Sequence, residues 1–198
     1  MMLRNLYDYI EILLSPLPEA VRWLSAQTPN GFAIVAEKLI ARAIDHLEAS
    51  GNYLRTSRED TITCAAIGFL NRYGIQATSQ PNSRGHVDIF MKHNWHAALV
   101  ICGEAKIWRG PANHTGGLAQ VLGYTTGRYP YCFVLAYVQV GQIKQHVETL
   151  RIHLDTTLPE AQQGPCVRHQ AFNWALLSNH QHTSGEAVSV LHAGVNLV

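Results

Sequence analysis

The chain has 198 residues, of which 47% are hydrophobic and 15% are charged, and its 15 Lys and Arg against 14 Asp and Glu give a formal net charge of +1. This length is enough for one domain with a full hydrophobic core. The near-neutral charge excludes the basic footprint that a stand-alone DNA-binding module usually carries. Four scattered cysteines without a CxxC spacing favour buried free thiols over a zinc site.

The first part of the chain predicts helices. Apolar residues at three- and four-residue spacing indicate an amphipathic helix over residues 3–14, and the acidic residues inside it suit neither a signal peptide nor a membrane span. A short helix over residues 18–24 and a longer one over residues 32–47 follow. We interpret residues 1–55 as a helical N-terminal layer packed on a single globular unit formed by residues 56–198. We expect a cytoplasmic protein.

That unit begins with a helix and a strand. Residues 56–74 predict a helix with Thr56 or Ser57 at its N-cap. Glu59 lies three residues after Thr56, which is the spacing of a capping box, so one interpretation of Glu59 is purely structural. Residues 75–80 predict a first strand.

Residues 85–108 then predict a β-hairpin, because two apolar runs flank the polar segment KHNWH. Pairing Asp88 with Glu104 centres the hairpin on His96 and exposes a tryptophan at its tip. Glu104 and Lys106 are two residues apart, so on a strand their side chains lie on the same face. Two carboxylates and an amine would therefore meet at one end of the sheet.

The middle of the chain continues with alternating helices and strands. RGPANHTGG, residues 109–117, predicts a loop, and Thr115 is expected to cap a helix over residues 116–126. Residues 131–140 form a nearly continuous apolar run, which is typical of a strand buried on both faces. A helix over residues 142–154 follows. The order of helix, three strands, helix, strand predicts an α/β fold with a mixed sheet flanked by helices.

The C-terminal part predicts less regular structure. A further strand is expected within residues 166–174, and residues 187–198 indicate a weak final strand or tail. Between them, His180 and His182 form an H-x-H pair that we interpret as part of a surface loop over residues 180–186.

The hairpin carries the strongest chemical signal. Asp88 and Glu104 offer the hard oxygen ligands that Mg²⁺ or Mn²⁺ selects. Lys106 beside them could orient or deprotonate a water, or neutralise charge on a phosphate. The apolar runs around these residues indicate a tolerated functional site, since burying an unpaired charge costs several kcal/mol. The alternative is a solvated pair, Glu104 with Lys106, on an edge strand.

These residues resemble the motifs of the PD-(D/E)xK nuclease superfamily, which has the restriction-endonuclease-like fold. Asp88 followed by Glu104-Ala105-Lys106 is similar to the family's defining motif, although Val87 stands where that motif has proline. Gly85-His86-Val87-Asp88 is similar to the GxxD motif of the RecB-like exonuclease branch, and Gln120 with Tyr124 matches its QxxxY helix motif. The resemblance covers roughly residues 56–140.

The resemblance implies a restriction-endonuclease-like core, here with an extra helical N-terminal layer, and a metal-dependent deoxyribonuclease activity. Asp88, Glu104 and Glu59 would hold Mg²⁺, with Mn²⁺ as the alternative ion, and Lys106 would serve the nucleophile. The partner would be DNA, and the near-neutral charge suggests that binding relies on the metal, on local Arg and Lys, or on a homodimer or partner subunit. No membrane partner is expected. Such a nuclease would act in defence against foreign DNA, in repair or in mobile-element processing.

Other residues keep two interpretations. The resemblance implies that Gln120 and Tyr124 position the nucleic-acid strand and the active site, whereas their four-residue spacing also fits an ordinary helix pair. Arg109 and His114 are either phosphate contacts or parts of a solvated loop. For the whole chain, the alternatives to a nuclease are a catalytically silent nucleic-acid-binding or assembly subunit of the same fold, and a metal-dependent hydrolase of a small phosphate ester.

Overall fold

The computed structural model describes residues 18–82, 85–125, 127 and 129–198, so the helix expected over residues 3–14 lies outside the described residues. The described helices are α1 (Pro18–Ser25), α2 (Pro29–Ala49), α3 (Gly51–Leu54), α4 (Glu59–Arg72), α5 (Pro111–Thr125) and α6 (Ile143–Thr157). The described strands are β1 (Gln76–Asn82), β2 (Gly85–Lys92), β3 (Val100–Ile107), β4 (Tyr131–Val138), β5 (Val167–Arg168), β6 (Ala175–Gln181) and β7 (Ala187–Asn196). The four cysteines are free, and three of them are buried.

The strands form one mixed sheet in the order β1-β2-β3-β4-β7-β6-β5. The β1–β2 and β2–β3 pairs are antiparallel, and β4 then runs parallel to β3 and to β7. On the far side of β7, β6 and β5 return to antiparallel pairing. The predicted α/β class, with a mixed sheet and flanking helices, is confirmed.

Helices cover both faces of the sheet. One hydrophobic cluster joins α1 to α4 with the face of β4 that carries Phe133, Leu135 and Tyr137. A second cluster joins α5 and α6 with the opposite face, which carries Cys132 and Val134. Every residue of β4 is buried. The strand is therefore buried on both faces, as its continuous apolar sequence predicted.

The hairpin has the predicted register. Ile89 pairs with Gly103 and Phe90 with Cys102, so one further step places Asp88 opposite Glu104. At the tip the side chain of Trp95 is 70% exposed. A one-residue slip would have moved Asp88 to the other face of the sheet, so this register is a condition for the candidate site.

The start of α4 differs from the prediction. The helix begins at Glu59, Arg58 is its N-cap, and no side chain caps it. The expected cap Ser57 instead donates its hydroxyl hydrogen to the Tyr53 carbonyl oxygen at 3.2 Å. The short helix α3 occupies the segment just before, so Ser57 closes that turn, and the predicted cap by Thr56 or Ser57 is wrong.

Helix α5 begins earlier than predicted. Pro111 is its first residue, and the expected loop over residues 109–117 is largely helical, so Thr115 is not its cap. Proline suits the first helical position because its fixed φ is already helical and its missing N–H would have had no partner there. Gly110 before it has a φ of +114°, a conformation that favours glycine. This turn directs the chain from β3 into the helix.

The C-terminal prediction is correct in part, because strands form within residues 166–174 and over Ala187–Asn196, but their extent and place differ from it. Only Val167–Arg168 of the strand expected within 166–174 is formed. The expected surface loop over residues 180–186 begins inside β6, where His180 is fully buried. The expected weak strand or tail is β7, which lies between β4 and β6 in the interior of the sheet. Ser178 and His180 are buried in β6, whereas Asn179 and Gln181 between and after them are exposed. The two buried polar side chains bond to each other, a pattern that hydrophobic periodicity does not detect.

Candidate active site

Lys106 lies among three carboxylates that come from three elements. Its Nζ donates a hydrogen bond of 2.5 Å to Glu104 Oε1. The same nitrogen lies 3.8 Å from Glu59 Oε1 and 3.9 Å from Asp88 Oδ2. The group carries more negative than positive charge when all four side chains are ionised. Such a cluster attracts further cations.

Asp88 is held against β3 by a backbone contact. Its Oδ2 accepts a hydrogen bond of 3.0 Å from the Ala105 N–H. The residue pairs of β2 and β3 run from Ile89 and Gly103 toward the hairpin tip. The Asp88 carboxylate therefore accepts a hydrogen bond from a β3 N–H group just beyond the last of these pairs. The side chain is 22% exposed, which leaves part of the carboxylate open to a ligand.

Glu59 reaches the same site from the first residue of α4. Its Oε2 accepts a hydrogen bond of 2.7 Å from the Ile107 N–H, while its Oε1 faces Lys106. The capping-box interpretation of Glu59 is therefore wrong, since no side chain caps α4 and the carboxylate bonds to β3 instead. Its side chain is the most exposed of the three acids, at 34%.

Glu104 is almost completely buried, with 2% of its side chain exposed. It belongs to β3, which has β2 on one side and β4 on the other, so the alternative of a solvated edge-strand pair is wrong. The pKa of the Glu104 carboxyl is raised to about 7, and burial is the main cause. The hydrogen bond from Lys106 opposes this shift, and the charge of Asp88 adds to it. Among the described residues Glu104 Oε2 has no hydrogen-bond partner. A buried acceptor of this kind is costly unless a ligand completes it.

The Lys106 ammonium is stabilised by its surroundings. Burial alone lowers the pKa of Lys106, but the hydrogen bond to Glu104 and the charges of Glu104, Asp88 and Glu59 outweigh it, so the pKa is raised. The side chain is therefore cationic at neutral pH, and it acts as a hydrogen-bond donor.

Helix α5 packs directly against the site. A Cβ on Gly117 would lie 3.3 Å from the Cγ atoms of both Glu104 and Lys106, so the absence of a side chain allows the close approach. One turn further along, Gln120 is exposed and lines the same cavity as Glu59 and Lys106. Tyr124 is buried; its burial raises the pKa of its hydroxyl, and the charges of Glu104 and Asp88 add to the shift.

The structure thus brings all six predicted residues to one region. Four of them form the charged cluster, Gln120 lies on the wall, and Tyr124 lies beneath it. A cavity of about 750 Å³ opens over this region. Its lining also includes Arg58, Asp60, Arg109 and Asn113. Arg58 and Asn113 were not predicted, because neither belongs to a motif. Arg58 precedes α4 and Asn113 lies in α5, and only the packing of these helices brings them to the cavity.

His114 does not reach the cavity, so its interpretation as a phosphate contact is wrong. The side chain is only 1% exposed, and its Nε2 lies 2.9 Å from His192 Nδ1. His192 Nε2 lies 2.7 Å from Ser178 Oγ, which lies 2.7 Å from His180 Nε2. His180 Nδ1 lies 3.0 Å from the Glu160 carbonyl oxygen. A buried chain of three imidazoles and one hydroxyl therefore joins α5, β7 and β6.

The Glu160 carbonyl oxygen sets the direction of every bond in this chain, because it can only accept. His180 Nδ1–H donates to it, so Ser178 donates to His180 Nε2 and accepts from His192 Nε2–H. His192 Nδ1 in turn accepts from His114 Nε2–H. This order requires neutral imidazoles, and burial lowers the pKa of each of the three histidines, that of His114 to about 3.

The donor set at the carboxylate cluster suits a hard divalent cation. Its free oxygens belong to carboxylates, and Glu104 Oε2 is a buried acceptor without a partner. Within residues 18–82, 85–125, 127 and 129–198, no three His, Cys, Asp or Glu side chains are grouped closely enough to hold a metal ion. The cation that the three acids surround is the Lys106 ammonium. If a divalent cation took part in this cluster, Asp88 and Glu104 would be the candidate ligands, with Glu59 at the rim.

Comparisons of the chain with protein-family models, with curated proteins and with solved structures found no match. In the part of the chain that the structure describes, none of the helices combines the length and the apolar character needed to cross a bilayer.

Proposed function

We propose that this protein is a Mg²⁺-dependent deoxyribonuclease with a restriction-endonuclease-like core. The observation that carries the proposal is the convergence of Asp88, Glu104 and Glu59 on the Lys106 ammonium, over distances of 2.5 to 3.9 Å, beside an open cavity. The residues come from α4, β2 and β3, so their meeting is a property of the fold.

The arrangement of elements supports the same proposal. Helix α4, strands β1, β2 and β3, helix α5 and strand β4 follow one another in the chain. The first three strands are antiparallel neighbours, and α5 connects β3 to the parallel strand β4. This is the order of helix, three strands, helix, strand that the motif resemblance implies for the core.

The carboxylates supply the binding site for the metal. Asp88 and Glu104, with Glu59 at the rim, would hold Mg²⁺, and Mn²⁺ would suit the same oxygens. A divalent cation held there provides a positive charge for a phosphate oxygen and lowers the pKa of a water molecule. The hydrogen bonds from the N–H groups of Ala105 and Ile107 hold Asp88 and Glu59 in place before any ligand binds.

Lys106 acts as a donor to the reacting groups. Its raised pKa keeps it cationic, so it orients the attacking water and neutralises charge on the phosphate rather than removing a proton. Water attacks the phosphorus of a phosphodiester and loses a proton to the solvent. The bond to the leaving oxygen breaks, and that oxygen takes up a proton from the solvent. Gln120 on the wall of the cavity contacts the strand, and Tyr124 below it supports Glu104 and Asp88.

The test is cleavage of plasmid and single-stranded DNA in the presence of Mg²⁺ or Mn²⁺, repeated with EDTA. We expect metal-dependent cleavage by the natural protein and a loss of at least about 100-fold for Lys106→Met and Glu104→Gln. The first removes a cation at the reacting phosphate, and the second removes a proposed ligand of the metal. Glu186→Gln is the control, because Glu186 is an exposed acid in the β6–β7 turn. Activity that survives in the double variant of Glu104 and Lys106 would contradict the assignment. The absence of any metal-dependent cleavage would favour a silent subunit.

A further inference from the structure

Two arginines from separate segments line the cavity beside the carboxylate cluster. Arg58 precedes the first residue of α4, and Arg109 follows β3 by two residues. Both side chains are exposed. Neither guanidinium forms an ion pair or a hydrogen bond with any side chain in the described part of the chain. Each therefore presents unused donors to whatever fills the cavity.

Three other arginines, Arg42, Arg151 and Arg168, form ion pairs, whereas Arg22, Arg55 and Arg72 form none among the described residues. Arg151 pairs with Glu148 and Asp155, and Arg168 pairs with Glu148 as well. By contrast, Arg58 does not pair with the acids that immediately follow it, since Glu59 faces Lys106 and Ile107 instead. Arg58 and Arg109 are thus two unpaired guanidinium groups in the lining of the cavity, which also includes Lys106 and the carboxylates of Glu59 and Asp60.

The wall formed by α5 adds polar groups and space. Asn113 and Gln120 line the cavity with their amide groups, and Gln120 is exposed. A Cβ on Gly116 would meet nothing within 4 Å, so the helix leaves room for a bulky ligand. Guanidinium and amide groups around one cavity are the donors that phosphate oxygens accept from.

We propose that Arg58 and Arg109 form a phosphate subsite that binds backbone phosphates next to the scissile one, so that the substrate is a nucleic-acid strand. The inference rests on the proposed function, in which the scissile phosphate lies against Lys106 and Glu104. That phosphate occupies the charged cluster, and the arginines at the mouth of the cavity are left for its neighbours. A substrate with a single phosphate has no group for them, so this subsite distinguishes a strand from a small phosphate ester.

The decisive measurement is binding without cleavage. A short fluorescein-labelled oligonucleotide, single-stranded and then duplex, is titrated with protein in EDTA, and the anisotropy is followed between about 50 and about 200 mM salt. The variants are Arg58→Gln, Arg109→Gln and the double variant. Arg72→Gln is the matched control: Arg72 is also exposed, and it ends α4, about 20 Å from Arg58 by the rise of the helix.

We expect the loss of each cavity arginine to weaken oligonucleotide binding by about 10-fold at low salt, which is the contribution of a charge-assisted phosphate contact. The slope of log K against log salt should become shallower in the double variant by about 1.4 for a single strand and about 1.8 for a duplex. Arg72→Gln should keep the natural slope. In a metal-containing cleavage assay of the double variant, KM should rise far more than kcat falls. The two arginines contact the strand when it binds and do not contact the reacting phosphate.

The outcomes separate this inference from the proposed function. If the double variant binds like Arg72→Gln, the subsite is overturned, while metal-dependent cleavage by the natural protein leaves the nuclease intact. If binding depends on both arginines but no metal supports cleavage, phosphate binding by the arginines is supported and the proposed nuclease activity is contradicted. If the natural protein hydrolyses bis(p-nitrophenyl) phosphate yet binds no oligonucleotide, the subsite is overturned in favour of a small phosphate ester.

Discussion

The Glu59 carboxylate accepts a hydrogen bond of 2.7 Å from the Ile107 N–H, which joins the first residue of α4 to the last residue of β3. The second oxygen of the same carboxylate faces Lys106 at 3.8 Å. One side chain thus fixes the end of the strand that carries Glu104 and Lys106 and also takes part in the charged cluster. The packing of α4 and the geometry of the candidate site are coupled at this residue.

Replacing Glu59 with Ala should lower both stability and activity. The Ile107 N–H loses a charged acceptor, which costs about 1 to 2 kcal/mol of the free energy of unfolding at a partly exposed position. Urea unfolding provides the measurement, with Asp60→Ala as the control because Asp60 is the exposed neighbour in the same turn of α4. Equal free energies of unfolding for the two variants would show that the bond to Ile107 contributes nothing.

Gly117→Val should separate α5 from the site. Its Cβ would already lie 3.3 Å from the side chains of Glu104 and Lys106 and 3.4 Å from Val134, and the two further methyl groups have no space. Overpacking of this kind typically costs about 1 to 3 kcal/mol. Gly116→Ala is the comparison, since a Cβ there meets nothing within 4 Å, and helix propensity predicts a gain of up to about 1 kcal/mol. Thermal unfolding of the two variants should shift in opposite directions.

Removal of Lys106 should make the protein more responsive to divalent cations. In Lys106→Met the three carboxylates lose their counter-charge, so the metal-free protein should unfold at a lower temperature than the natural one. Mg²⁺ should then raise its Tm by more than it raises that of the natural protein. A cation at about 100 times its Kd adds about 2.7 kcal/mol.

Glu104→Gln is the counterpart in that experiment. It removes the buried carboxylate and should abolish most of the Mg²⁺-dependent shift in Tm, whereas Glu186→Gln should keep the shift of the natural protein. Because Tm is read without any substrate, the result is independent of nuclease activity. If Mg²⁺ left the Tm of the natural protein and of Lys106→Met unchanged, the carboxylate cluster would not be a metal site.

The buried histidine chain predicts a loss of stability in mild acid. Burial lowers the pKa of His114, His180 and His192 in the folded state, so below about pH 6.5 the unfolded state binds more protons. The stabilisation is therefore fully present above this pH and is lost as the pH falls. Each such group contributes up to about 1.4 kcal/mol per pH unit.

Urea unfolding between about pH 7.5 and about pH 5 measures this slope. His114→Asn keeps a donor near His192 but does not titrate, so its free energy of unfolding should depend less steeply on pH than that of the natural protein. It should also be less stable at neutral pH, since asparagine fills less of the buried space. An unchanged slope in this variant would mean that His114 is protonated in the folded state.

Most of the candidate site could be predicted from residues close together in the sequence. The two apolar runs and the polar turn between them specify the hairpin, and the two-residue period of a strand then places Asp88 opposite Glu104 with Lys106 on the same face. The long apolar run of β4 likewise predicts a strand buried on both faces. In each case the local pattern indicates which side chains are buried. A strand buried on one face needs an apolar residue at every second position, and a strand buried on both faces needs one at every position.

Other features depend on contacts between distant parts of the chain. The bond between Glu59 and Ile107, the approach of α5 through Gly117 and the two arginines at the cavity follow from how the helices pack on the sheet. The place of β7 beside β4 is set by pairing between strands distant in the sequence. The burial of His180 was missed because polar side chains carry no hydrophobic period. These groups become satisfied only when folding brings Ser178, His192 and His114 together, and no local pattern encodes a partner so far away in the sequence.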